Sequence, residues 1–383
     1  MRLIHTSDWH LGRSLHGEPL VQHQRAFLRW LAELAVDRDA DVVVVAGDVY
    51  DRAVPPPDAV ELLDEALSAF AAAGIAVLLT SGNHDSAIRL GFGRALSASA
   101  GVHLRTRVAE LDSPVVLSDD AGDVAVYGIP YLLPDAAMAE LGAERSHTSV
   151  LRAAVDRIRT DAARRGITRT VVAAHAFVTG GVASDSERDI RVGGIGDTPA
   201  AVFDGITYTA LGHLHGPQQV APTVRYSGSP LAFSFSERDQ RKSVSVVDID
   251  AEGIVTVETV PVPVPRPLRE VRGRIDDLVS RAEGELAELA DAWVRVVLTD
   301  PSRPLAPMER LRERWPHTLV LEFEPDGRLP DATNDLARLA GASDPIEICA
   351  AFVEWVDSTR PSKAHLDALH EALDAVGREE LSA

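Results

Sequence analysis

The sequence has one cysteine, Cys349, among 383 residues. A single thiol excludes an internal disulfide framework and a metal site built from several thiolates, and we interpret Cys349 as a small apolar side chain on a helix face. No run approaches ~18 consecutive apolar residues, so the sequence contains no helical segment typical of a membrane span. Polar residues 6–8 interrupt the start before a signal-like apolar core forms. We therefore expect a cytoplasmic protein.

Basic residues are also scarce. The sequence has 38 Lys and Arg against 58 Asp and Glu, which gives a formal net charge of −20. Affinity for a phosphate backbone comes largely from Lys and Arg. The charge balance therefore excludes a protein that holds nucleic acid through a broad basic surface. We expect any polyanionic substrate to be held locally or by a partner.

Five segments share one pattern, in which an apolar run typical of a buried strand ends in Asp, Asn or His. Ligands in α/β sheets gather outside the carboxyl ends of the strands, so we expect these side chains to meet. Taken singly, an Asp after a strand is usually a turn former and a lone His a structural residue; the repetition favours a shared site. The segments are residues 3–10, 42–51, 78–85, 170–175 and 206–215.

This pattern supplies seven candidate metal ligands, all of them oxygen or nitrogen donors: Asp8, His10, Asp48, Asn83, His175, His213 and His215. Such a set suits two ions such as Mn²⁺, with Mg²⁺, Fe²⁺ and Zn²⁺ as alternatives, and we expect Asp48 to bridge them. Paired divalent ions activate water toward phosphorus, which predicts phosphoester hydrolysis.

Two further residues are candidate catalytic groups beside Asn83. We expect the ring of His84 to point away from the ligands and to protonate the leaving oxygen or stabilise the transition state. We expect Asp85 to orient His84 or to cap the following helix.

The alternation of strands and helices over residues 1–260 predicts a layered α/β domain, a two-sheet sandwich flanked by helices. Continuous apolar runs at 42–46 and 75–79 are typical of strands covered on both faces. Helices are predicted at 21–36, 58–73 and 148–165. Strands at 124–129, 224–226, 243–248 and 254–260 are expected as well, the last three completing a second sheet.

Alternate prolines at residues 261–267 predict an extended linker. A small α/β unit follows at 268–340, with strands near 269–274, 293–298 and 318–323 and helices at 277–289 and 308–315. The tail, 341–383, carries two amphipathic helices with apolar stripes: Ile348, Phe352, Val353 and Val356, then Leu366, Leu369, Leu373 and Val376. These stripes fit packing on their own domain or docking to a partner helix equally well.

The motifs Asp8-x-His10, Gly47-Asp48-x-x-Asp51, Gly82-Asn83-His84-Asp85, His175 and Gly212-His213-x-His215 resemble the signature of the calcineurin-like metallophosphoesterases. More narrowly, Ser-Asp-Trp-His-Leu-Gly at 7–12, Gly-Asp-Val-Tyr-Asp at 47–51, Ser-Asp-Ser-Glu-Arg at 184–188 and Tyr-Ser-Gly-Ser-Pro at 226–230 resemble the bacterial SbcD branch of that family. The resemblance is dense to about residue 260; beyond it only the layout is similar.

The resemblance implies a dimeric, Mn²⁺-dependent nuclease that trims double-stranded DNA ends and cuts single strands and hairpins together with the ATPase SbcC in DNA repair. It implies a nucleoid-associated protein. Residues 268–340 would be a capping domain that touches DNA, and 341–383 would bind the SbcC coiled coil. One ion would be held by Asp8, His10, Asp48 and His215 and the other by Asp48, Asn83, His175 and His213, with His84 as the catalytic histidine.

The chain departs from archaeal and eukaryotic relatives at Asp51, where they carry a second histidine; Asp51 is instead a candidate for orienting a metal-bound histidine. Arg13, Arg52 and Arg89 are candidates for phosphate contact. Two alternatives remain open: a phosphoesterase of small esters or cyclic nucleotides, and a non-catalytic scaffold on the same fold. The additional domain and tail disfavour the first, and the complete ligand set disfavours the second.

Overall fold

The computed structural model describes residues 1–187, 198–264, 266–325, 344–357 and 360–380. The chain divides into two compact units, Met1–Pro265 and Arg266–Ala383. The division falls inside the proline-rich stretch at 261–267. Within the described ranges, no helix combines the length and the apolar composition that crossing a bilayer requires.

The first unit contains two six-stranded sheets and a short hairpin. Its strands, in chain order, are β1 (Arg2–Thr6), β2 (Ser14–Leu15), β3 (Glu18–Pro19), β4 (Val42–Ala46), β5 (Ala76–Thr80), β6 (Val102–Arg105), β7 (Val115–Asp119), β8 (Gly122–Ile129), β9 (Arg169–His175), β10 (Tyr208–Gly212), β11 (Gln218–Ala221), β12 (Val224–Tyr226), β13 (Ser243–Ile249) and β14 (Val255–Pro261).

Both sheets have a parallel centre; the first has antiparallel strands at one edge and the second at both edges. The first has the order β14-β13-β1-β4-β5-β6, and the second β11-β12-β10-β9-β8-β7. Strands β1, β4, β5 and β6 run parallel, as do β8, β9, β10 and β12. The carboxyl ends of the parallel strands in each sheet therefore lie at the same end of that sheet, and in α/β folds the loops at this end bind ligands.

Helices cover the outer face of each sheet. The main helices are α1 (Val21–Asp37) and α2 (Pro57–Ala72) on the first sheet, with α5 (Pro134–Leu141) and α6 (His147–Arg165) on the second; α3 (Ala87–Leu90) and α4 (Arg94–Ser97) are short. Single 3₁₀ turns lie at Ala98–Ala100, Val108–Glu110, Ala200–Phe203 and Phe235–Glu237. This arrangement confirms the predicted two-sheet sandwich flanked by helices.

Strand β4 shows how the layers follow from composition. All five of its residues are buried, and successive side chains of a strand point to opposite faces. Val43 and Val45 join the core under α1 and α2, whereas Val42 and Val44 join the core between the two sheets. A run without polar residues is thus required at this position.

Two sequence-based assignments in this unit were wrong. The strands predicted at 243–248 and 254–260 were expected to complete the second sheet, but β13 pairs antiparallel with β1 and β14 with β13, so both extend the first sheet. Local pattern identifies a strand without identifying its partner, and β1 lies some 240 residues away in the chain. The short strands β6, β7 and β11 were not predicted, because four or five residues give little periodicity.

The second unit has a parallel three-stranded sheet in the order β15 (Leu268–Gly273), β16 (Trp293–Leu298) and β17 (Thr318–Phe323). Helices α7 (Ile275–Ser280) and α8 (Pro307–Arg312) and a 3₁₀ turn at Ala287–Asp291 accompany it. Its core includes Leu278 and Trp315, both fully buried.

Both helices of this sheet are shorter than predicted. The helix expected over 277–289 ends at Ser280, and Gly284, a poor helix former, follows within three-residue turns closed by bonds such as Gly284 N to Arg281 O. The helix expected over 308–315 ends at Arg312. Pro316 disfavours helical backbone at Trp315.

The tail forms two helices, α9 (Pro345–Asp357) and α10 (Lys363–Glu380), which contact each other. Ile348 and Phe352 remain exposed on α9, while Leu366, Leu369 and Leu373 are half-buried on α10. The side chains of Val356 and Val376 lie outside the described residues.

Helix α2 offers a test of the layer it forms. Phe70 is completely buried in the core under the first sheet, whereas Val60 on the same helix is exposed. We expect Phe70→Ala to lower the free energy of unfolding by about 3–5 kcal/mol, and Val60→Ala to change it by less than about 0.5 kcal/mol. Urea denaturation of both variants measures this; similar midpoints for the two would contradict the placement of α2.

Candidate metal centre

The loops that leave β1 and β4 are joined by backbone hydrogen bonds. The amide of Asp8 donates to the carbonyl of Gly47, and that of His10 to the carbonyl of Asp48, each at 3.0 Å. Asp8, His10 and Asp48 adopt φ of 53°, 43° and 47°, a left-handed region that side chains rarely occupy. Such strain persists only where the surroundings enforce it, and it gathers at functional sites.

Two glycines allow the segments to approach closely. A Cβ on Gly82 would lie 2.1 Å from Asp48 Oδ1, and one on Gly212 would lie 1.9 Å from the carbonyl oxygen of Ala46. Strand β5 and strand β10 therefore reach the β4 loop only because these positions carry no side chain. This requirement explains the glycine that precedes Asn83 and the one that precedes His213.

The structure brings the side chains from these loops into one buried cluster. Three groups have ligand atoms within 4.8 Å of one another, and all their residues are buried: Asp8 with His10 and His215, His10 with Asp48 and His84, and Asp8 with Asp48 and His175. The Nε2 atoms of His10 and His215 are 3.2 Å apart. His175 Nε2 lies 3.5 Å from Asp48 Oδ2.

Asn83 and His213 lie beside these groups. Asn83 Oδ1 is 2.8 Å from His175 Nε2. The ring of His213 is buried 5.4 Å from that of His175, centroid to centroid, and its amide donates to both carboxylate oxygens of Asp8 at 3.0 and 3.1 Å. His213 belongs to none of the three groups found among the described residues.

Burial favours the neutral imidazole at His10 and His175, and it raises the cost of charging the neighbouring carboxylates Asp8 and Asp48. Desolvation, with the nearby His215 and His84, holds the pKa of His10 well below its usual range, and desolvation lowers the pKa of His175 to about 4. Desolvation and the charge of Asp48 raise the pKa of Asp8 far above its usual range.

This donor set fits divalent cations. Neutral imidazole presents a lone pair to a metal, and a cation resolves the repulsion between two buried carboxylates. The donor atoms are oxygen and nitrogen, without sulfur, and such donors suit divalent ions such as Mn²⁺, Mg²⁺, Fe²⁺ and Zn²⁺. The His and Asp groups therefore indicate a site for divalent metal ions.

His84 faces this cluster, although we expected its ring to point elsewhere. Its Nε2 lies 3.9 Å from Asp48 Oδ2, and its amide donates to Asp48 Oδ1 at 2.8 Å. Its Nδ1 lies 2.7 Å from the carbonyl oxygen of Asp51. A ring that donates from Nδ1 to this carbonyl directs Nε2 toward the site.

Asp85 has a different environment from the one we expected. Its carboxylate accepts from the amides of Val49 at 3.1 Å, Tyr50 at 2.9 Å and Gly82 at 2.9 Å, so it braces the loop that carries Asp48. Ser86, rather than Asp85, caps the following helix α3. Desolvation and the charge of Asp48 raise the pKa of Asp85 to about 7, against the effect of these hydrogen bonds.

The side chain of Asp51 lies on the Nδ1 side of His10, 3.7 Å from that nitrogen, which is longer than a hydrogen bond. Arg13 lies 3.6 Å from Asp51 and 4.8 Å above the ring of Phe233, and it donates to the carbonyl of Ser186 at 3.2 Å. Arg52 and Arg89 are exposed, and Arg89 donates to the carbonyl of Ala53.

Four residues that the sequence analysis did not assign support the metal-binding loops. Gln24 on α1 is buried; it donates to the carbonyls of Trp9 and His10 and accepts from the amide of Gly12. Glu187, Glu237 and Lys242 surround His215. Glu187 lies in a quoted motif, but the other three give no local signal, because only the fold brings them to the site.

Two family models match the chain. The model described as calcineurin-like phosphoesterase matches residues 1–217. The model of the SbcD C-terminal domain, described as type 5 capsule protein repressor C-terminal domain, matches residues 264–354. Together the two matches support an SbcD-type subunit.

Solved structures with similar folds include TT1561 of Thermus thermophilus, at 12% identity over 68% of this chain and 98% of that one with a TM-score of 0.41. The calcineurin-like phosphoesterase YfkN of Bacillus subtilis is 13% identical over 68% and 90%, with a TM-score of 0.39. A dimetal phosphatase of Danio rerio is 12% identical over 68% and 96%, with a TM-score of 0.41. Likeness at these values carries no weight for function.

The close approach at Gly82 gives a direct test of the site. We expect Gly82→Ala to displace Asp48 and abolish Mn²⁺ binding, because the added Cβ meets both Asp48 Oδ1 and its backbone nitrogen, 2.3 Å away. Gly284→Ala in the second unit is the control, since the atom nearest to its Cβ would be the carbonyl oxygen of Arg281 at 3.8 Å. Calorimetric titration with Mn²⁺ measures both; equal binding by the two variants would contradict the geometry.

Proposed function

Because the chain belongs to the calcineurin-like phosphoesterase family, we propose that it is a metal-dependent DNA nuclease of the SbcD type, acting with the ATPase SbcC. The fold and the His and Asp groups indicate a metal-dependent phosphoesterase. One observation carries the finer proposal: the same chain joins this site to a region matching the SbcD C-terminal domain at 264–354. A phosphatase of small esters has no use for that region.

The proposed ligands of one ion are Asp8, His10, Asp48 and His215, and those of the other are Asp48, Asn83, His175 and His213. Mn²⁺ is the proposed metal, since the donors are mixed oxygen and nitrogen. Bound divalent ions would supply an activated water and neutralise charge on the phosphoryl oxygens.

His84 is the proposed catalytic histidine. Its Nδ1 contacts the Asp51 carbonyl and its Nε2 faces the cluster, so the ring is held where it can give a proton to the leaving oxygen or stabilise charge there. Asp85 contributes by fixing the Asp48 loop through two hydrogen bonds, from the amides of Val49 and Tyr50. Arg13, at the edge of the cluster, is the best placed of the three arginines for a phosphate.

The net charge of −20 disfavours binding of DNA by this chain alone. This supports a partner that supplies much of the affinity for DNA. We propose that the second unit caps the DNA and that the tail helices dock on SbcC. The apolar Ile348 and Phe352, exposed on α9, fit a helix-in-groove contact.

We test the activity with a linear duplex, a DNA hairpin and a small phosphodiester dye, each with Mn²⁺. We expect wild type to cut DNA, and His84→Gln to bind metal normally yet cleave about 10²–10⁴-fold more slowly, the range that general acid catalysis provides.

Cleavage by His84→Gln at the wild-type rate would contradict the role of His84. If the dye is hydrolysed while DNA stays intact with SbcC and ATP present, the chain is an esterase of small substrates. If wild type hydrolyses neither substrate, the scaffold alternative holds.

We further propose a homodimer formed through the segment that follows the Gly82–Asp85 loop. Ile88 on α3, Phe92 between the two short helices and Leu96 on α4 are 86%, 87% and 80% exposed. An apolar patch of this kind beside an active-site loop is typical of an interface, and a symmetric dimer uses one self-complementary patch.

Leu96→Asp tests this surface. We expect it to convert the dimer to monomer by light scattering, because a carboxylate would be buried without a partner. Leu305→Asp is the control, since Leu305 is equally exposed in the second unit. An unchanged mass for Leu96→Asp, or a wild-type monomer, would contradict the interface.

A further inference from the structure

Behind His215, a chain of buried polar groups extends away from the metal cluster. Ser186 Oγ is 2.6 Å from His215 Nδ1 and 2.5 Å from Glu237 Oε1. The other oxygen of Glu237 contacts the ammonium of Lys242. Side chains of Glu237 and Lys242 are 0% and 2% exposed, so a full ion pair lies buried beside a metal-ligand candidate with no role in the proposed chemistry.

The hydrogen bonds of these groups favour one arrangement of protons, and the direct distance of 3.4 Å from His215 Nδ1 to Glu237 Oε1 fits the same tautomer, since a carboxylate only accepts. A carboxylate paired with an ammonium accepts and does not donate, so the hydroxyl of Ser186 donates to Glu237. A serine hydroxyl has a single proton, and Ser186 Oγ must then accept from His215 Nδ1–H. The remaining ring nitrogen, Nε2, carries the lone pair, and it faces His10 Nε2 at 3.2 Å.

Other contacts fix the position of each member. Lys242 also donates to the carbonyl of His215 and to Ser229 Oγ, both at 2.9 Å. Glu237 Oε1 accepts from the amide of Phe233 at 3.1 Å. Ser184 Oγ lies 3.0 Å from Ser186 Oγ, but its own proton goes to Glu187 Oε2 at 2.6 Å.

Glu187 holds the backbone of the same histidine. Its Oε1 accepts from the amide of His215 at 2.7 Å, while its Oε2 accepts from the amide of Ser184 at 2.7 Å. The ring and the backbone of His215 are thus each bound by a neighbouring residue of one loop. Packing alone would not require one polar group against the ring of His215 and a second against its backbone amide.

We propose that Ser186 is a positioning residue, which orients His215 as a metal ligand through the buried pair of Glu237 and Lys242. This inference rests on the proposed metal site. Partners that hold the second nitrogen of a ligating histidine fix its tautomer and ring orientation, and their loss typically weakens metal affinity about 10–100-fold. We call Ser186, Glu237 and Lys242 the relay. It affects the binding of only one of the two ions, because only one of the two ligand sets contains His215.

The test uses Ser186 variants of the full chain. Removing Glu237 would leave the ammonium of Lys242 buried and unpaired, which endangers folding. Ser186→Ala removes the hydroxyl, and Ser186→Thr restores it. Ser118→Ala is the matched control, since Ser118 Oγ makes an equivalent bond to Asp123 at 2.6 Å on the surface, away from the cluster.

Calorimetric titration of metal-free protein with Mn²⁺ is the measurement, with the melting temperature of the metal-free protein alongside. We expect two binding steps in wild type and in Ser118→Ala. In Ser186→Ala one step weakens by about 10–100-fold while the metal-free melting temperature stays unchanged, and Ser186→Thr regains most of the affinity.

Equal Mn²⁺ affinity in wild type and Ser186→Ala would overturn the relay and leave the metal centre intact; a lower melting temperature with unchanged affinity, a purely structural effect, would also overturn it. Absence of Mn²⁺ binding by wild type would overturn the metal centre itself and the relay with it. ¹H–¹⁵N spectra of histidine-labelled, Zn²⁺-loaded protein add a second readout. We expect the proton of His215 on Nδ1, and a proton on Nε2 would contradict the arrangement.

Discussion

The structure depends on holding two carboxylates and several imidazoles in one dry space. Asp8 and Asp48 are buried with ligand atoms within 4.8 Å of each other and of His175. Like charges at that distance repel strongly where water is excluded, and the high pKa of Asp8 reflects this cost. The rest of the first unit can be understood as the framework that prevents these groups from separating.

That framework restrains each loop from a different side. Gln24 ties the β1 loop to α1 through three backbone contacts. Asp85 ties the β4 loop to the β5 loop through three amides. Left-handed backbone at Asp8, His10 and Asp48 is sustained by these contacts, because strained conformations persist only where surroundings over-determine them.

Charge is used very differently inside and outside the site. Within it, the imidazoles of His10 and His175, whose pKa values are lowered, and the carboxylates of Asp8 and Asp48 suit cations. The buried pair of Glu237 and Lys242 orients the ring of His215. Outside it, the strongly acidic chain offers little for a phosphate backbone. In the second unit, Arg272, Arg295 and Arg310 are each paired with a carboxylate.

The order of the apolar runs, together with the Asp, Asn or His that follows each of them, by itself determined the layered fold and the candidate ligands. A strand such as β4, apolar throughout, has only one stable place, between a helix layer and another sheet, and the residue after it must then emerge at the sheet edge. The glycines before Asp48, Asn83 and His213 are visible in the sequence, but the reason for each is tertiary, since a Cβ there would collide with His175, Asp48 and Ala46, respectively.

Tertiary structure alone decided which distant groups serve those ligands. Glu237 and Lys242 are five residues apart, but nothing near them in the chain indicates that their ion pair lies behind His215, and nothing near Gln24 indicates the loop that it holds. Strand partners were likewise undecided, as the place of β13 beside β1 and of β14 beside β13 showed. Pairing across the sheet and hydrogen bonding across loops are interactions between segments far apart in sequence, and local periodicity contains no information about them.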